Sequence, residues 1–128
     1  MAADDDETPF AFSGLDRLFH ERARLGIMTS LAGQADGLSF AQLRQLCGLS
    51  DGNLNRHLAV LEEAGCVTIE KGHDGRRPQT RCRLSARGRG EFAGYLAALE
   101  SALRHATRAT GSHDLRQDAS PRLRKRPA

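Results

Sequence analysis

Apolar residues along the chain recur first with a helical period and then in alternation, and the switch falls at Gly65. Leu15, Leu18, Phe19, Leu25, Met28 and Leu31 keep helical spacing, which predicts a helix over Leu15–Leu31 that ends in the polar, glycine-flanked "AGQADG". "SFAQLRQLCG" opens on a capping box: Ser39 can accept from the amide of Gln42, and the Gln42 side chain can reach back to the amide of Ser39. Phe40, Leu43 and Leu46 form the apolar face of this short helix, and Gly48 is its left-handed stop. Ser50 then caps a third helix that runs to Gly65. Two helices joined by about four residues that include a glycine make a helix-turn-helix.

Past Gly65, Val67 and Ile69 of "CVTIEK" share one face; in "TRCRLS", Thr80, Cys82 and Leu84 share a face while Arg81 and Arg83 share the other. The intervening "GHDGRRP" holds Asp-Gly, a strong hairpin-turn dipeptide, and Pro78, which without an amide hydrogen belongs at a strand entrance or edge. Ser85 caps a last helix striped by Phe92, Tyr95, Leu96, Leu99 and Leu103. The expected order is helix, helix, helix, strand, strand, helix: an α+β fold, mainly α.

Composition narrows this to one modest domain: 128 residues, of which 5% are aromatic. Residues 1–11, with the acidic "MAADDDETP", and 108–128, with "GSHDLRQDASPRLRKRPA", hold too little apolar surface to offset chain entropy. Both are expected to be disordered around a folded domain over 12–107. No run is long and apolar enough for a membrane span or a signal-peptide core. The three cysteines, Cys47, Cys66 and Cys82, are odd in number and widely spaced, which is no disulfide framework and fits a reducing, cytoplasmic setting.

The net charge of +3 is unevenly spread: Lys71, Arg76, Arg77, Arg81, Arg83, Arg87 and Arg89 face Asp74 alone between positions 71 and 89. By itself such a run reads as a solvated face. The helix after Ser50 changes that. At about 100° per residue, Leu54, Leu58 and Leu61 fall together as the core face, Gly52, Arg56 and Ala59 lie opposite, and Asn53 and Asn55 flank them. Small residues let a backbone approach another surface, Asn pairs with adenine edges, Arg pairs with guanine edges, and a helix N-terminus favours phosphate. With a capped helix and glycine turn before it and an arginine-rich hairpin after it, double-stranded DNA is the expected partner.

On "LDRLFHERARLGIM", "LSFAQLRQLCGLSDGNLNRHLAVLEEAGCVTIEK", "GRRPQTRCRLSARGRGEF" and "YLAALE", the chain resembles small bacterial and archaeal winged-helix transcriptional regulators near the MarR and ArsR groups. The resemblance implies a winged helix-turn-helix: three helices, a two-stranded hairpin wing over Cys66–Leu84 and a C-terminal dimerisation helix. The helix from Asp51 to Ala64 would enter the major groove, with Arg76 and Arg77 near the wing tip on backbone or minor groove. Affinity is expected from Lys71, Arg76, Arg77 and the capped helix ends at Ser39 and Ser50. Specificity is expected from Asp51, Asn53, Asn55 and Arg56, and Gly52 and Thr80 complete the DNA-facing set. The resemblance also implies a homodimer on the first and last helices, through Leu15, Leu18, Phe19, Phe92, Tyr95, Leu96 and Leu99. Cys66 and Cys82 stand where relatives often carry larger side chains, which implies a looser core beneath the wing.

Other constellations are weaker. ArsR relatives bind metals, but "QLCGLS" offers a lone cysteine, and Cys66, His73 and Cys82 lack structural-zinc spacing. No metal or cofactor is therefore expected, and a metal- or thiol-responsive sensor stands as the alternative. His57 borders core and groove and is placed equally well on a phosphate or against the first helix. "LSARGRGEFAG" matches part of a dinucleotide fingerprint without the second parallel strand that fingerprint needs. No nucleophile with a base and no paired carboxylates in a cleft mark an enzyme. A winged helix that binds protein would show apolar or aromatic residues on the wing in place of arginines. The sequence specifies neither operator nor effector.

Overall fold

A computed structural model describes residues 8–111. The elements are α1 (Arg22–Ala32), β1 (Leu38–Ser39), α2 (Phe40–Cys47), α3 (Asp51–Glu63), β2 (Val67–Asp74), β3 (Arg77–Leu84) and α4 (Ala86–Thr110). The described residues group into two units: Leu15–Tyr95, and Thr8–Gly14 with Leu96–Gly111, so that α4 contributes to both. The acidic stretch up to position 7 and the basic tail from 112 lie outside the described residues.

The larger unit carries the winged helix. Its local signals behave as the sequence predicts. Ser39 Oγ accepts from the Gln42 amide at 3.1 Å while the Gln42 side chain accepts from the Ser39 amide at 2.9 Å, closing the capping box. Gly48 ends α2 in the left-handed region at φ 63°, where a β-carbon would clash with its own backbone. Ser50 Oγ accepts from the Asn53 amide at 3.2 Å to start α3.

β2 and β3 pair antiparallel from Val67↔Leu84 to Asp74↔Arg77, leaving Gly75 and Arg76 as a two-residue loop. Asp74 is thus the last paired residue, and the turn lies one position beyond the Asp-Gly dipeptide. The sheet has a third strand: β1 pairs antiparallel with β3 through Leu38↔Cys82 and Ser39↔Arg81, giving the order β1-β3-β2. The wing is the two-stranded hairpin that the sequence predicts, and β1 extends its sheet at the β3 edge; two residues are too few to display an alternating period. Pro78 pairs with His73, beyond the reach of β1, so its missing amide hydrogen takes nothing from that ladder.

The first helix needs correction. It begins at Arg22, because side chains upstream offer the backbone other partners. Asp16 accepts from the Leu18 amide at 2.9 Å through its carboxylate and from the Phe19 and His20 amides at 3.1 and 2.9 Å through its carbonyl. Glu21 then caps α1 by accepting from the Arg24 amide at 2.8 Å. The folded-back segment delivers Phe19 to Phe92 and Tyr95, with ring centroids 5.5 and 5.7 Å away. All three rings are buried with Ile27, Met28 and Leu31 of α1.

Ser85 Oγ accepts from the Gly88 amide at 2.9 Å and donates to the Gly65 carbonyl at 2.6 Å, fixing the start of α4 against the end of α3. Gly88 is required sterically: a β-carbon there would lie 2.0 Å from the carbonyl oxygen of Cys66. In the smaller unit, Phe10 and Phe12 stand edge-on to His105 at 6.2 and 6.4 Å, and Phe10, Phe12, Leu96 and Leu103 are exposed. No helix among the described residues is long and apolar enough to cross a membrane.

Candidate nucleic-acid interface

α3 divides its residues sharply. Leu54, Leu58 and Leu61 are buried in the core, whereas Asp51, Gly52, Asn53, Asn55, Arg56 and Ala59 are exposed. Arg56 Nη2 donates to Asn53 Oδ1 at 3.4 Å, so the two side chains with base-pairing geometry are already joined on one face. Both lie in the first turns of α3, where free amides and the helix dipole add positive potential. Asp51 at the first helical position pairs with Arg44 of α2 at 3.3 Å, bridging the helix-turn-helix. A pair that spans a turn, such as Arg44 with Asp51, leaves no periodic trace in the sequence.

Ser39 is placed differently from the expectation. It is only 5% exposed and its hydroxyl is committed to the capping box, which removes it from the DNA-facing set. Ser50 is exposed but its hydroxyl holds the Asn53 amide. His57 is 6% exposed and faces α1: its Nδ1 meets Arg24 Nη1 at 3.1 Å and lies 3.8 Å from Glu21 Oε1. A packing position, not a phosphate contact, is the outcome for this residue.

The basic run separates into two groups. Arg81 donates to the Gly37 carbonyl at 3.2 Å, Arg83 pairs with Glu70, Arg87 pairs with Glu91 at 2.9 Å, and Arg89 donates to the Ala32 carbonyl at 3.3 Å. Lys71, Arg76 and Arg77 are exposed, and their side chains have no hydrogen bond or ion pair among the described residues. Arg76 occupies the hairpin loop, Arg77 follows it, and Lys71 stands opposite the half-buried Thr80 in the β2–β3 register.

The thiols belong mostly to the core. Cys66 and Cys82 are fully buried. Burial, with Glu62 adding to it, pushes the Cys82 thiol up to about 11, and burial followed by Glu91 raises that of Cys66. Both therefore stay protonated at neutral pH and are poor nucleophiles and ligands. Cys47 is half-buried, its Sγ 3.6 Å from Ser30 Oγ. Among the described residues no three His, Cys, Asp or Glu side chains converge on a position that could hold a metal ion.

The dimer expectation divides as well. Phe19, Phe92 and Tyr95 are buried within the protomer and are corrected from interface to core, because the folded-back segment supplies the partners their rings lacked in the sequence. Leu15, Leu18 and Leu99 are half-buried, and Leu96 is 42% exposed.

Comparison with known proteins gives this arrangement a context. The family model described as a winged helix DNA-binding domain matches residues 23–103. An uncharacterised protein of Methanocaldococcus jannaschii is 32% identical over 80 residues, which span 62% of this chain and 86% of that protein. A transcriptional regulator homologue from Pyrococcus horikoshii superposes with a TM-score of 0.66 at 28% identity, covering 71% of this chain and 89% of its own. MarR superposes with a TM-score of 0.67 at 20% identity, covering 97% and 92%, and so shares the fold.

Proposed function

The chain belongs to the winged helix DNA-binding domain family, and from that premise we propose that it is a MarR-like transcriptional regulator that binds double-stranded DNA as a homodimer. In this reading α3 lies in the major groove, with Asn53, Asn55 and Arg56 at base edges and Asp51 and Gly52 at the point of closest approach. Lys71, Arg76 and Arg77 neutralise phosphates along the backbone or minor groove, and Thr80 lies alongside Lys71 on the same hairpin. The observation that carries the reading is the pairing of an exposed Asn/Arg face at the start of α3 with a wing tip whose cations have no hydrogen-bond or ion-pair partner among the described residues. A second copy of the chain covers the exposed Leu96 and Leu103, with Leu99 beside them, and places two α3 helices on successive half-sites about 34–36 Å apart.

Base-by-base profiling on a site selected from random duplexes tests this. Arg56→Ala should relax preference at one or two positions in each half-site, at about 1–3 kcal/mol of discrimination, and lower nonspecific affinity far less. Unchanged base preferences with a general loss of affinity would make Arg56 a phosphate contact.

A further inference from the structure

His57 is the buried polar residue of α3, one turn beyond Asn53 and adjacent to Arg56. Its Nδ1 faces Arg24 Nη1 at 3.1 Å. A guanidinium only donates, so Nδ1 must carry the lone pair and the neutral ring must hold its hydrogen on Nε2. Arg24 also donates to the chain before α1: Nε to the Leu18 carbonyl at 2.7 Å and Nη2 to the Arg17 carbonyl at 3.4 Å. One side chain therefore joins the folded-back segment, the start of α1 and the recognition helix. Glu21 Oε1, 3.8 Å from the same Nδ1, is a partner suited to the protonated ring, yet that oxygen is already the cap of α1.

We propose that Arg24 is a positioning residue which, with His57, forms a proton-sensitive latch: it holds α3 in its DNA-reading position only while His57 is neutral. A proton on Nδ1 sets donor against donor, breaks the Arg24 bond and draws the ring to Glu21, which then has to share its capping oxygen. The charged groups acting on His57 are Glu21 and Arg24 from the α1 side and Arg56 on its own helix. Burial is the largest influence and lowers the pKa from 6.5; Glu21 raises it, and Arg56 and Arg24 lower it. Because the folded value lies below the unfolded one, the unfolded chain takes the proton first. The contribution of His57 to stability is thus complete above about 6.5 and is lost as pH falls from there to the folded value.

The consequence for DNA rests on the function proposed above; the latch itself does not, and the test separates them. Histidine ¹⁵N NMR on the full chain should find the hydrogen of His57 on Nε2 at pH 7.5, and Arg24→Gln should raise its pKa. Binding to a random-sequence duplex, followed by anisotropy from pH 8 to 5.5 at fixed ionic strength, should weaken in the wild type relative to His57→Asn. The asparagine oxygen can accept from Arg24 and does not titrate. The ratio should approach tenfold per pH unit below the His57 pKa, the limit for one proton. A hydrogen on Nδ1 at pH 7.5, or wild-type and His57→Asn curves that stay parallel, would overturn the latch. Should His57→Asn fail to fold, the tautomer and the Arg24→Gln shift decide. The expected NMR result with no duplex bound at any pH would uphold the latch geometry and reject the DNA-binding reading.

Discussion

At the tip of the β2–β3 hairpin, Arg76 and Arg77 extend from the loop with Lys71 behind them, none engaged by another side chain or carbonyl among the described residues. At its base and in the first turn of α4, Arg81, Arg83, Arg87 and Arg89 each meet an acceptor of the protein itself. In the sequence the two groups are one basic run. The structure assigns the base to holding β1, β3 and α4 in place and leaves the tip's cations without an ion pair among the described residues. A count of arginines measures neither contribution; only partners do, since a cation already paired releases little when a phosphate approaches.

Substitutions at the base should therefore affect folding, and those at the tip should not. The largest effect is expected at Gly88, between Arg87 and Arg89. Gly88→Ala places a β-carbon 2.0 Å from the Cys66 carbonyl oxygen, so α4 has to shift, at about 1–3 kcal/mol or more of stability. Thermal unfolding measures it, and an unchanged midpoint would remove the base from its structural role. Arg81→Ala comes next. It loses the hydrogen bond that ties β3 to the Gly37 carbonyl, worth about 0.5–1.5 kcal/mol, with nonspecific DNA affinity nearly unchanged; a large loss of affinity at constant stability would assign Arg81 to the DNA. Arg83→Ala should matter least, because its pair with Glu70 is substantially exposed and such pairs contribute about 0–1 kcal/mol. Denaturant midpoints rank the three.

Much of this was legible in the sequence where the signal was local. The Ser39–Gln42 capping box, the stop at Gly48, the Ser50 cap, the leucine face of α3 and the hairpin turn all depend on residues within a few positions of one another. The failures have two causes: side chains that capture amides just ahead of α1, and partners far apart in the chain. Asp16 and Glu21 end the helical pattern that Leu15 and Leu18 suggest, because their carboxylates capture nearby amides. That fold-back then turns Phe19, Phe92 and Tyr95 from an apparent interface into core. β1 was invisible because its two residues are defined by Arg81 and Cys82, some forty positions later. Of the candidate site, the Asn53–Arg56 face could be read from the helical wheel, but the Arg44–Asp51 bridge and the Arg24–His57 contact could not. Nor could the split of the basic run.

The salt dependence of duplex binding tests the division between tip and base most directly. Wild-type log affinity should fall linearly with log salt concentration, by about 0.9 per phosphate neutralised. Arg76→Ala with Arg77→Ala should flatten that slope by about two units and weaken binding to all sequences alike, while leaving the unfolding midpoint within about 0.5 kcal/mol of wild type. An unchanged slope in the double variant, or a slope flattened equally by Arg83→Ala, would contradict the assignment of the wing tip to DNA.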